Sequence, residues 1–166
     1  MAKKSMKKAP ATVQSNGHKV VTSNRKAFHD FFIEDEVEAG LQLVGSEIKS
    51  IREGKVNLRD AYARIDNGEL WLIGGHISPY QQAGLYFNHE PDRPRKLLVH
   101  RKQIDMLQQK QEAAGYTLVP LRLKLVRGKA KVDIGIAKGK KLYDKRQTLA
   151  ERDAKRQIER ALKSRV

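Results

Sequence analysis

The sequence contains no cysteine and no long apolar run. The lack of cysteine excludes disulfides, thiolate zinc sites and cysteine nucleophiles, and it fits a reducing compartment. No stretch approaches the ~20 apolar residues that span a bilayer. The basic residues 1–8 are followed by no apolar segment, so they do not resemble a secretory signal. We therefore expect a soluble, cytoplasmic protein that makes no contact with membranes.

Motifs for catalysis are also lacking. The five histidines show no metal-ligand spacing, and the chain has neither a G-x-S-x-G nucleophile motif nor a phosphate-binding P-loop. The acidic run at residues 34–36 fits the rim of a turn better than an acid–base pair. The sequence therefore predicts no metal, no cofactor and no enzymatic activity, and the hypothesis of a nucleic-acid enzyme is left without a catalytic centre.

Positive charge is abundant and unevenly distributed. The 166 residues carry a net charge of +15, of which residues 1–27 and residues 138–166 each hold +7, while residues 28–137 hold only +1. Two cationic arms on a nearly neutral body suit a polyanionic partner such as nucleic acid. The alternative is that the arms serve solubility alone.

Strands are predicted from alternation of apolar and polar residues. Residues 121–125 and 132–136 alternate in this way, and residues 127–129 join them. One face of each strand should pack, while the other, rich in Lys and Arg, should meet solvent or a ligand. The turn at residues 66–68, Asp-Asn-Gly, predicts a hairpin between residues 58–65 and 69–73. Residues 28–33 form a further apolar run, interrupted by residues 34–36.

Two short helices accompany these strands. Ser46 is predicted to cap a helix at residues 47–53, and a second helix is predicted at residues 103–114. About six short strands with two helices indicate a mainly β protein, a closed antiparallel OB-like barrel with flanking helices, with a sandwich as the alternative. We expect a disordered basic arm at residues 1–23, the barrel at 24–137 and a basic tail at 138–166.

The tail should become helical from Thr148, because Thr148 and Glu151 form a capping box. Ile158 and Leu162 give the helix only a narrow apolar seam, which is too little to hold it on the body. We therefore predict a tail that is loose when free and helical when bound to RNA. The alternative is an ordinary C-terminal helix packed on the body.

Residues 76–102 combine planar and cationic side chains, a pattern that suits stacking on unpaired bases. The planar residues are His76, Tyr80, Tyr86, Phe87 and His89, and the cations are Arg93, Arg95, Lys96, Arg101 and Lys102.

Several ordered motifs resemble the SsrA-binding protein family, and the resemblance covers residues 24–166. It implies an OB-type barrel that binds transfer-messenger RNA at the elbow of its tRNA-like part and supports charging of that RNA with alanine. With elongation factor Tu, the family delivers the RNA to stalled ribosomes for trans-translation. The motifs are NRKAFHDF at residues 24–31, EVEAG at 36–40, LVGSEIKSIR at 43–52, RKLL at 95–98, TLVPL at 117–121, AKGKK at 137–141 and YDKR at 143–146.

The resemblance also implies RNA-binding residues. Asn24 and His29 would hydrogen-bond or stack on nucleotides, and Lys131 would neutralise phosphate. Glu38 would accept hydrogen bonds from RNA or order a nearby cation, with a purely structural role as the alternative. The implied set is Asn24, His29, Glu38, Leu98, His100 and Lys131.

The same resemblance gives the tail a role on the ribosome. It would lie in the mRNA channel near the small-subunit decoding centre, coiling into a helix only where no message is present. The residues are Lys138, Lys140, Lys141, Tyr143, Asp144, Lys145, Arg146, Arg152, Arg156, Ile158, Arg160 and Leu162. The expected partners are transfer-messenger RNA and the ribosome, with elongation factor Tu and alanyl-tRNA synthetase contacted only through the RNA. We expect a monomer. A structural ribosomal protein is the competing hypothesis.

Overall fold

The computed structural model describes residues 18–113 and 115–163. The strands are β1 (His18–Ser23), β2 (Phe31–Leu41), β3 (Val56–Asn57), β4 (Tyr62–Asp66), β5 (Glu69–Ile73), β6 (His76–Ile77), β7 (Arg95–Leu98), β8 (Tyr116–Val126) and β9 (Lys129–Gly139). The α-helices are α1 (Arg25–Asp30), α2 (Gly45–Arg52), α3 (Arg101–Glu112) and α4 (Leu142–Lys163), and Gln81–Ala83 form one 3₁₀ turn. The prediction of a mainly β protein with helices is confirmed.

The main sheet is antiparallel and has seven strands in the order β1-β8-β4-β5-β7-β2-β9. Strand β8 also pairs with β9, so the pairings that leave β8 through β4 return to it through β9. Strands β3 and β6 form a separate pair. This arrangement places β2 between β7 and β9, a position that matters for the site described below.

Both tight turns lie where the sequence predicts them. Asn67 and Gly68 have φ of 49° and 72° between β4 and β5, and Arg127 and Gly128 have φ of 49° and 78° between β8 and β9. Left-handed φ at two successive residues gives the twist that joins antiparallel strands. Asn and Gly adopt it readily, whereas Arg127 does so against its steric preference.

The main core is a cluster of buried side chains from most strands of the large sheet. Leu70, Leu118, Val132 and Ile134 are fully buried there. A second, smaller cluster forms where Ala27 of α1 packs against β8 and β9. Its remaining buried members are Val119, Leu121 and Ala137.

A bulge in β8 separates these two clusters. The register shifts between Pro120 and Arg122, so Leu121 packs beneath α1 while Leu123 packs in the main core. The predicted single apolar face through Leu121, Leu123 and Leu125 is therefore wrong at Leu121. Because side chains alternate with period two, one extra residue moves every later side chain to the other face.

The N-terminal boundaries also differ from the prediction. The predicted disordered arm included residues 18–23, which instead form β1 and pair with β8; residues 1–17 lie outside the described residues. The apolar run at residues 28–33 splits between α1 and β2. Strand β2 continues through residues 34–36 because a bulge between Ile33 and Asp35 absorbs the change of face.

Helix α2 forms as predicted but is capped differently. Val44 is the N-cap, and its backbone N–H donates to Glu47 Oε2 at 2.9 Å. The Ser46 hydroxyl instead contacts His89 Nδ1 at 2.9 Å. Ser46 therefore connects the helix to the loop after β6 and does not cap it.

Helix α4 begins at Leu142, six residues before the predicted start. Thr148 Oγ1 donates to the Asp144 carbonyl at 2.8 Å, so Thr148 is inside the helix and caps nothing. Asp144 Oδ2 accepts the Lys141 N–H at 3.3 Å at the true N-terminus. Every described residue from Leu149 to the end of α4 is exposed. The narrow seam thus stays off the body, and the change from loose to helical on RNA binding stays a prediction.

Within the described residues, no helix combines the length and apolar character needed to cross a membrane. The same part of the chain holds no group of three or more His, Asp or Glu side chains placed to hold a metal ion.

Candidate nucleic-acid interface

The six predicted RNA-binding residues fall into two places. Glu38, Leu98, His100 and Lys131 line one open cavity of about 490 Å³. Asn24 and His29 line another, of about 460 Å³, beside α1. The structure therefore brings four of the six together, although they are up to 93 positions apart in the chain.

Strand β2 explains why the four residues meet. Gly40 is the register partner of Leu98 on β7 and of Lys131 on β9. A Cβ at position 40 would lie 3.4 Å from Leu98 Cβ, at the limit of ordinary packing. Glycine thus keeps the floor of the cavity open between the two neighbouring side chains. Leu98 points into this space and is 52% exposed.

Glu38 organises the cations of this cavity. Its carboxylate accepts hydrogen bonds from Lys124 Nζ at 2.7 Å and from Lys131 Nζ at 2.5 Å. These hydrogen bonds lower the pKa of Glu38 to about 2, against the effect of burial. Glu38 is therefore ionised at neutral pH and fixes both ammonium groups. Glu38 thus orders two nearby cations, and its role in RNA binding stays a prediction.

The polar face of β2, β8 and β9 is a paired network of both signs. Asp133 contacts Lys124 at 2.8 Å and Arg122 at 3.8 Å, and Arg122 also contacts Glu36 at 3.4 Å. Burial by itself would lower the pKa of Lys124, but hydrogen bonds to Asp133 and Glu38 raise it. The face carries the predicted Lys and Arg side chains, but they are paired with Asp133 and with acids of β2 that the alternation in β8 and β9 could not show.

Asn24 has an internal role. It is 4% exposed and is the N-cap of α1, where its Oδ1 accepts the Ala27 N–H at 3.1 Å. Its Nδ2 donates to the carbonyls of Leu58 at 2.8 Å and Pro120 at 3.0 Å. Both amide protons are thus used inside the protein. The predicted hydrogen bond from Asn24 to a nucleotide has no free donor, and Asn24 instead positions α1.

His29 is the RNA-facing candidate beside α1. Its Nδ1 lies 2.9 Å from Asp30 Oδ1, and its cavity is also lined by Arg25 and Arg59. Neither guanidinium has an ion-pair partner among the described residues, whereas Lys26 is paired with Asp60 at 2.6 Å. This arrangement supplies a partly exposed imidazole next to two cations that are available to an anion.

Most of the aromatic and cationic residues at 76–102 that were predicted to contact bases are paired with other side chains of the protein. Arg93 and Arg95 both bind Glu47, at 2.6 Å and 2.8 Å, and Arg95 and Glu47 are fully buried. His89 contacts Ser46 Oγ and the Ile77 carbonyl, each at 2.9 Å. Other members are paired too: His76 with Asp92, Lys96 with Glu69 and Arg101 with Asp105. Tyr86 and Phe87 remain highly exposed.

Sequence reasoning missed Glu47 because its partners are 46 and 48 residues away. A glutamate in the first turn of a short helix normally faces solvent. Burial raises the pKa of Glu47, but hydrogen bonds from Arg93, the Val44 N–H and Arg95 lower it overall. The sequence offers one local signal, the two arginines Arg93 and Arg95 on either side of Pro94.

The first part of the tail is attached to the body. Lys140 lies over the Phe32 ring at 4.9 Å, Lys138 over the Tyr116 ring at 6.0 Å, and Lys145 Nζ lies 3.2 Å from Asp30. A hydrogen bond from His29, then contacts from Lys145, lower the pKa of Asp30. The exposed tail residues are Lys141, Arg146, Arg152, Arg156, Ile158, Arg160 and Leu162. The side chain of Tyr143 lies outside the described part of the chain.

Known proteins are similar to this chain over most of its length. The family model described as "SmpB protein" matches residues 21–164. The chain belongs to the SmpB family. It is similar to the "SsrA-binding protein" of Roseiflexus castenholzii, with 61% identity over 92% of this chain and 98% of the relative. It is 63% identical to that of Roseiflexus sp. strain RS-1, over 89% of this chain and 94% of the relative.

A solved structure supports the family assignment. It is described as "tmRNA-SmpB: a journey to the center of the bacterial ribosome". It matches with a TM-score of 0.64 and 46% identity over 75% of this chain and 86% of its own. The resemblance read from the motifs is therefore confirmed.

Proposed function

We propose that this chain binds transfer-messenger RNA and delivers it to stalled ribosomes for trans-translation. Membership of the SmpB family supports this function, as do relatives named for SsrA binding and a solved complex named for the RNA and the bacterial ribosome. The observation that carries it is the convergence of Glu38, Leu98, His100 and Lys131 on one cavity.

Each of these four side chains suits a different part of an RNA. Leu98 offers an apolar surface against which a splayed base or a ribose can pack. His100 is exposed at the N-cap of α3 and can stack or hydrogen-bond. Lys131 can contact a phosphate while Glu38 holds its ammonium group in place. Because the polar face itself is paired, the two +7 arms supply most of the long-range attraction and the cavity supplies the orientation.

We also propose that the ring of strand pairings is a closed, OB-like barrel. Six strands take part, β8, β4, β5, β7, β2 and β9, and each is paired on both sides. Fully buried residues from several of them support closure around one core, among them Leu70 of β5, Leu118 of β8 and Val132 of β9.

For the tail we propose the role of a sensor for an empty mRNA channel near the decoding centre. The exposed stretch of α4 carries cations without a compensating docking surface, so a tunnel of phosphates would stabilise it as a helix. The domain division into RNA-binding barrel and ribosome-reading tail follows from this. The protein would act in the cytoplasm as a monomer and without catalysis, reaching elongation factor Tu and alanyl-tRNA synthetase only through the RNA.

The proposal is tested by equilibrium binding of the full chain at one fixed salt concentration to transfer-messenger RNA, an elongator tRNA and a ribosomal RNA fragment. We expect the first to bind at least about tenfold more tightly. Equal affinity for all three, with stoichiometric retention on salt-washed subunits, would favour a structural ribosomal protein instead.

A pair of matched variants locates the interface. Leu98→Ala should weaken binding to transfer-messenger RNA, whereas Leu162→Ala, which truncates another exposed leucine in α4, should not. If the two substitutions have the same effect, the cavity is not the RNA site.

A further inference from the structure

The loop between β6 and β7 carries three consecutive large apolar side chains near its middle, and all three are exposed to solvent. Leu85 is 96% exposed, Tyr86 94% and Phe87 83%. Among the described residues, the next most exposed large apolar side chain is Leu162 at 63%. Apolar surface concentrated in this way marks an interaction site on a soluble protein. We call residues 85–87 the apolar tip.

The base of this loop is held firmly. The Asn88 side chain donates to the Tyr80 carbonyl at 2.8 Å and accepts the Tyr80 N–H at 2.9 Å, which closes the loop below the tip. His89 is bonded to Ser46 and to the Ile77 carbonyl, and buried Arg95 donates to the Pro91 carbonyl at 2.9 Å. A loop fixed at its base loses little conformational freedom when its tip binds, which favours association.

The charge around the tip argues against RNA as its partner. Residues 79–88 contain no Lys, Arg, Asp or Glu. The ammonium group of Lys49 lies over the Tyr80 ring at 5.5 Å, and Arg93 is paired with Glu47. Sites that stack bases normally combine aromatic side chains with cations that hold the phosphates. Such cations are lacking here, and Leu85 offers no ring to stack.

The composition of the tip fits a protein surface. Aromatic side chains that enter apolar pockets dominate the energetics of protein–protein contacts, surrounded by residues that contribute little. We propose that the apolar tip inserts into an apolar cleft on a ribosomal protein when the chain is on the ribosome. This inference rests on the proposed function, since it assumes that the chain reaches the ribosome.

The first test is a photocrosslink made with the full chain carrying benzoylphenylalanine in place of Phe87. The chain is mixed with transfer-messenger RNA and purified salt-washed ribosomes and is then irradiated. We expect a crosslink that protease digestion removes and that mass spectrometry assigns to a ribosomal protein. A crosslink to RNA, a crosslink to a second copy of the chain, or no crosslink in a complex that has formed would overturn the proposal.

The second test measures binding of three variants by co-sedimentation with ribosomes. The variant Leu85→Ser, Tyr86→Ser, Phe87→Ser should bind ribosomes at least about tenfold more weakly. Tyr86→Leu with Phe87→Leu, which keeps the tip apolar but removes the rings, should bind clearly more tightly than the serine variant. The control, Gln81→Ala with Gln82→Ala, changes exposed polar residues of the same loop and should bind normally.

All three variants should bind free transfer-messenger RNA as the parent chain does. If the leucine variant loses as much ribosome binding as the serine variant, the tip stacks on bases and the proposal is wrong. If the parent chain binds neither that RNA nor ribosomes, the proposed function has failed. A parent chain that binds both, with a serine variant that also binds both, overturns only the role of the tip.

Discussion

The Lys145 ammonium group in α4 lies 3.2 Å from the Asp30 carboxylate in α1. The same carboxylate oxygen lies 2.9 Å from His29 Nδ1. Asp30 thus connects the start of the C-terminal tail with a candidate RNA-binding histidine. Residues that share a partner in this way are energetically coupled.

We expect Asp30→Asn to loosen the first turn of α4. Removing a partly exposed ion pair costs about 1 kcal/mol or less, so local opening should increase up to about fivefold. Hydrogen exchange at the amides of residues 145–148 measures this directly. The control Asp153→Asn alters an exposed acid further along α4 and should leave those amides unchanged; equal exchange in both variants would mean that Asp30 does not hold the tail.

The ion pairs of Glu38 with Lys124 and Lys131, called here the Glu38 bridge, should contribute less to stability in acid. The pKa of Glu38 is about 2 in the folded protein against an ordinary value of 4.5, so the unfolded chain binds the proton first as the pH falls. The bridge therefore stabilises the fold fully above about pH 4.5, and this contribution disappears towards pH 2. Because the side chain is 38% exposed, we expect the difference in unfolding free energy between the parent chain and Glu38→Gln to be about 1 kcal/mol at pH 7. Denaturant titrations from pH 2 to 7 measure it, and a difference that does not change with pH would contradict the ionised bridge.

The buried Glu47 should make Arg95 far more important for stability than Arg93. Arg95→Ala leaves a fully buried carboxylate with one partner fewer, which costs about 3–5 kcal/mol. Arg93→Ala removes the partner that is 31% exposed and whose place water can take, so its cost should be smaller. Chemical denaturation of both variants provides the comparison, and equal destabilisation would show that burial does not set the difference.

Lys131→Ala should reduce the salt dependence of RNA binding. One lost phosphate contact lowers the slope of log affinity against log salt concentration by about 0.7–0.9. Binding titrations at four salt concentrations give this slope. Lys55→Ala, which removes a lysine paired with Glu53 at the end of α2, is the control and should leave the slope unchanged. An unaltered slope for Lys131→Ala would remove this residue from the interface.

Truncation after Lys141 should separate RNA binding by the body from the function of the C-terminal tail. The cut preserves β9, whose last residues Lys138 and Gly139 pair with β2, whereas a cut after Ala137 would remove them. We expect binding to transfer-messenger RNA to persist within about threefold and tagging of nascent chains to be lost. Affinity and tagging assays on the same preparation test both halves. Loss of RNA binding would show that the tail belongs to the RNA site.

Local chemistry explains what could be predicted from the sequence. The turns at Asn67-Gly68 and Arg127-Gly128 depend on a few adjacent residues, and the strands beside them follow from alternation. The bulge between Pro120 and Arg122 could not be predicted, because the choice of face there depends on α1 packing against the strand. Strand β1 also needed a partner about 100 residues away, and its six residues show no clear alternation that would predict the pairing.

In the candidate site, too, local motifs could be predicted from the sequence, whereas contacts between distant residues could not. The motifs indicated Glu38, Leu98, His100 and Lys131, but only the register of β2 between β7 and β9 shows that they share a cavity. The buried position of Asn24 was hidden because a residue suited to RNA recognition is equally suited to capping a helix. Lys124 and Asp133 were missed because their importance comes from Glu38 on a different strand.

The length of α4 sets how far the free end of the tail lies from its attachment to the body. Its 22 residues extend about 33 Å, and the distance along the axis from Lys145 to Leu162 is about 25 Å. With one end attached at Asp30, the other end would, under the proposed function, reach a fixed distance into the mRNA channel. An obstacle that shortened the free channel by one helical turn, about 5.4 Å, would therefore prevent the last turn of α4, which includes Leu162, from forming there.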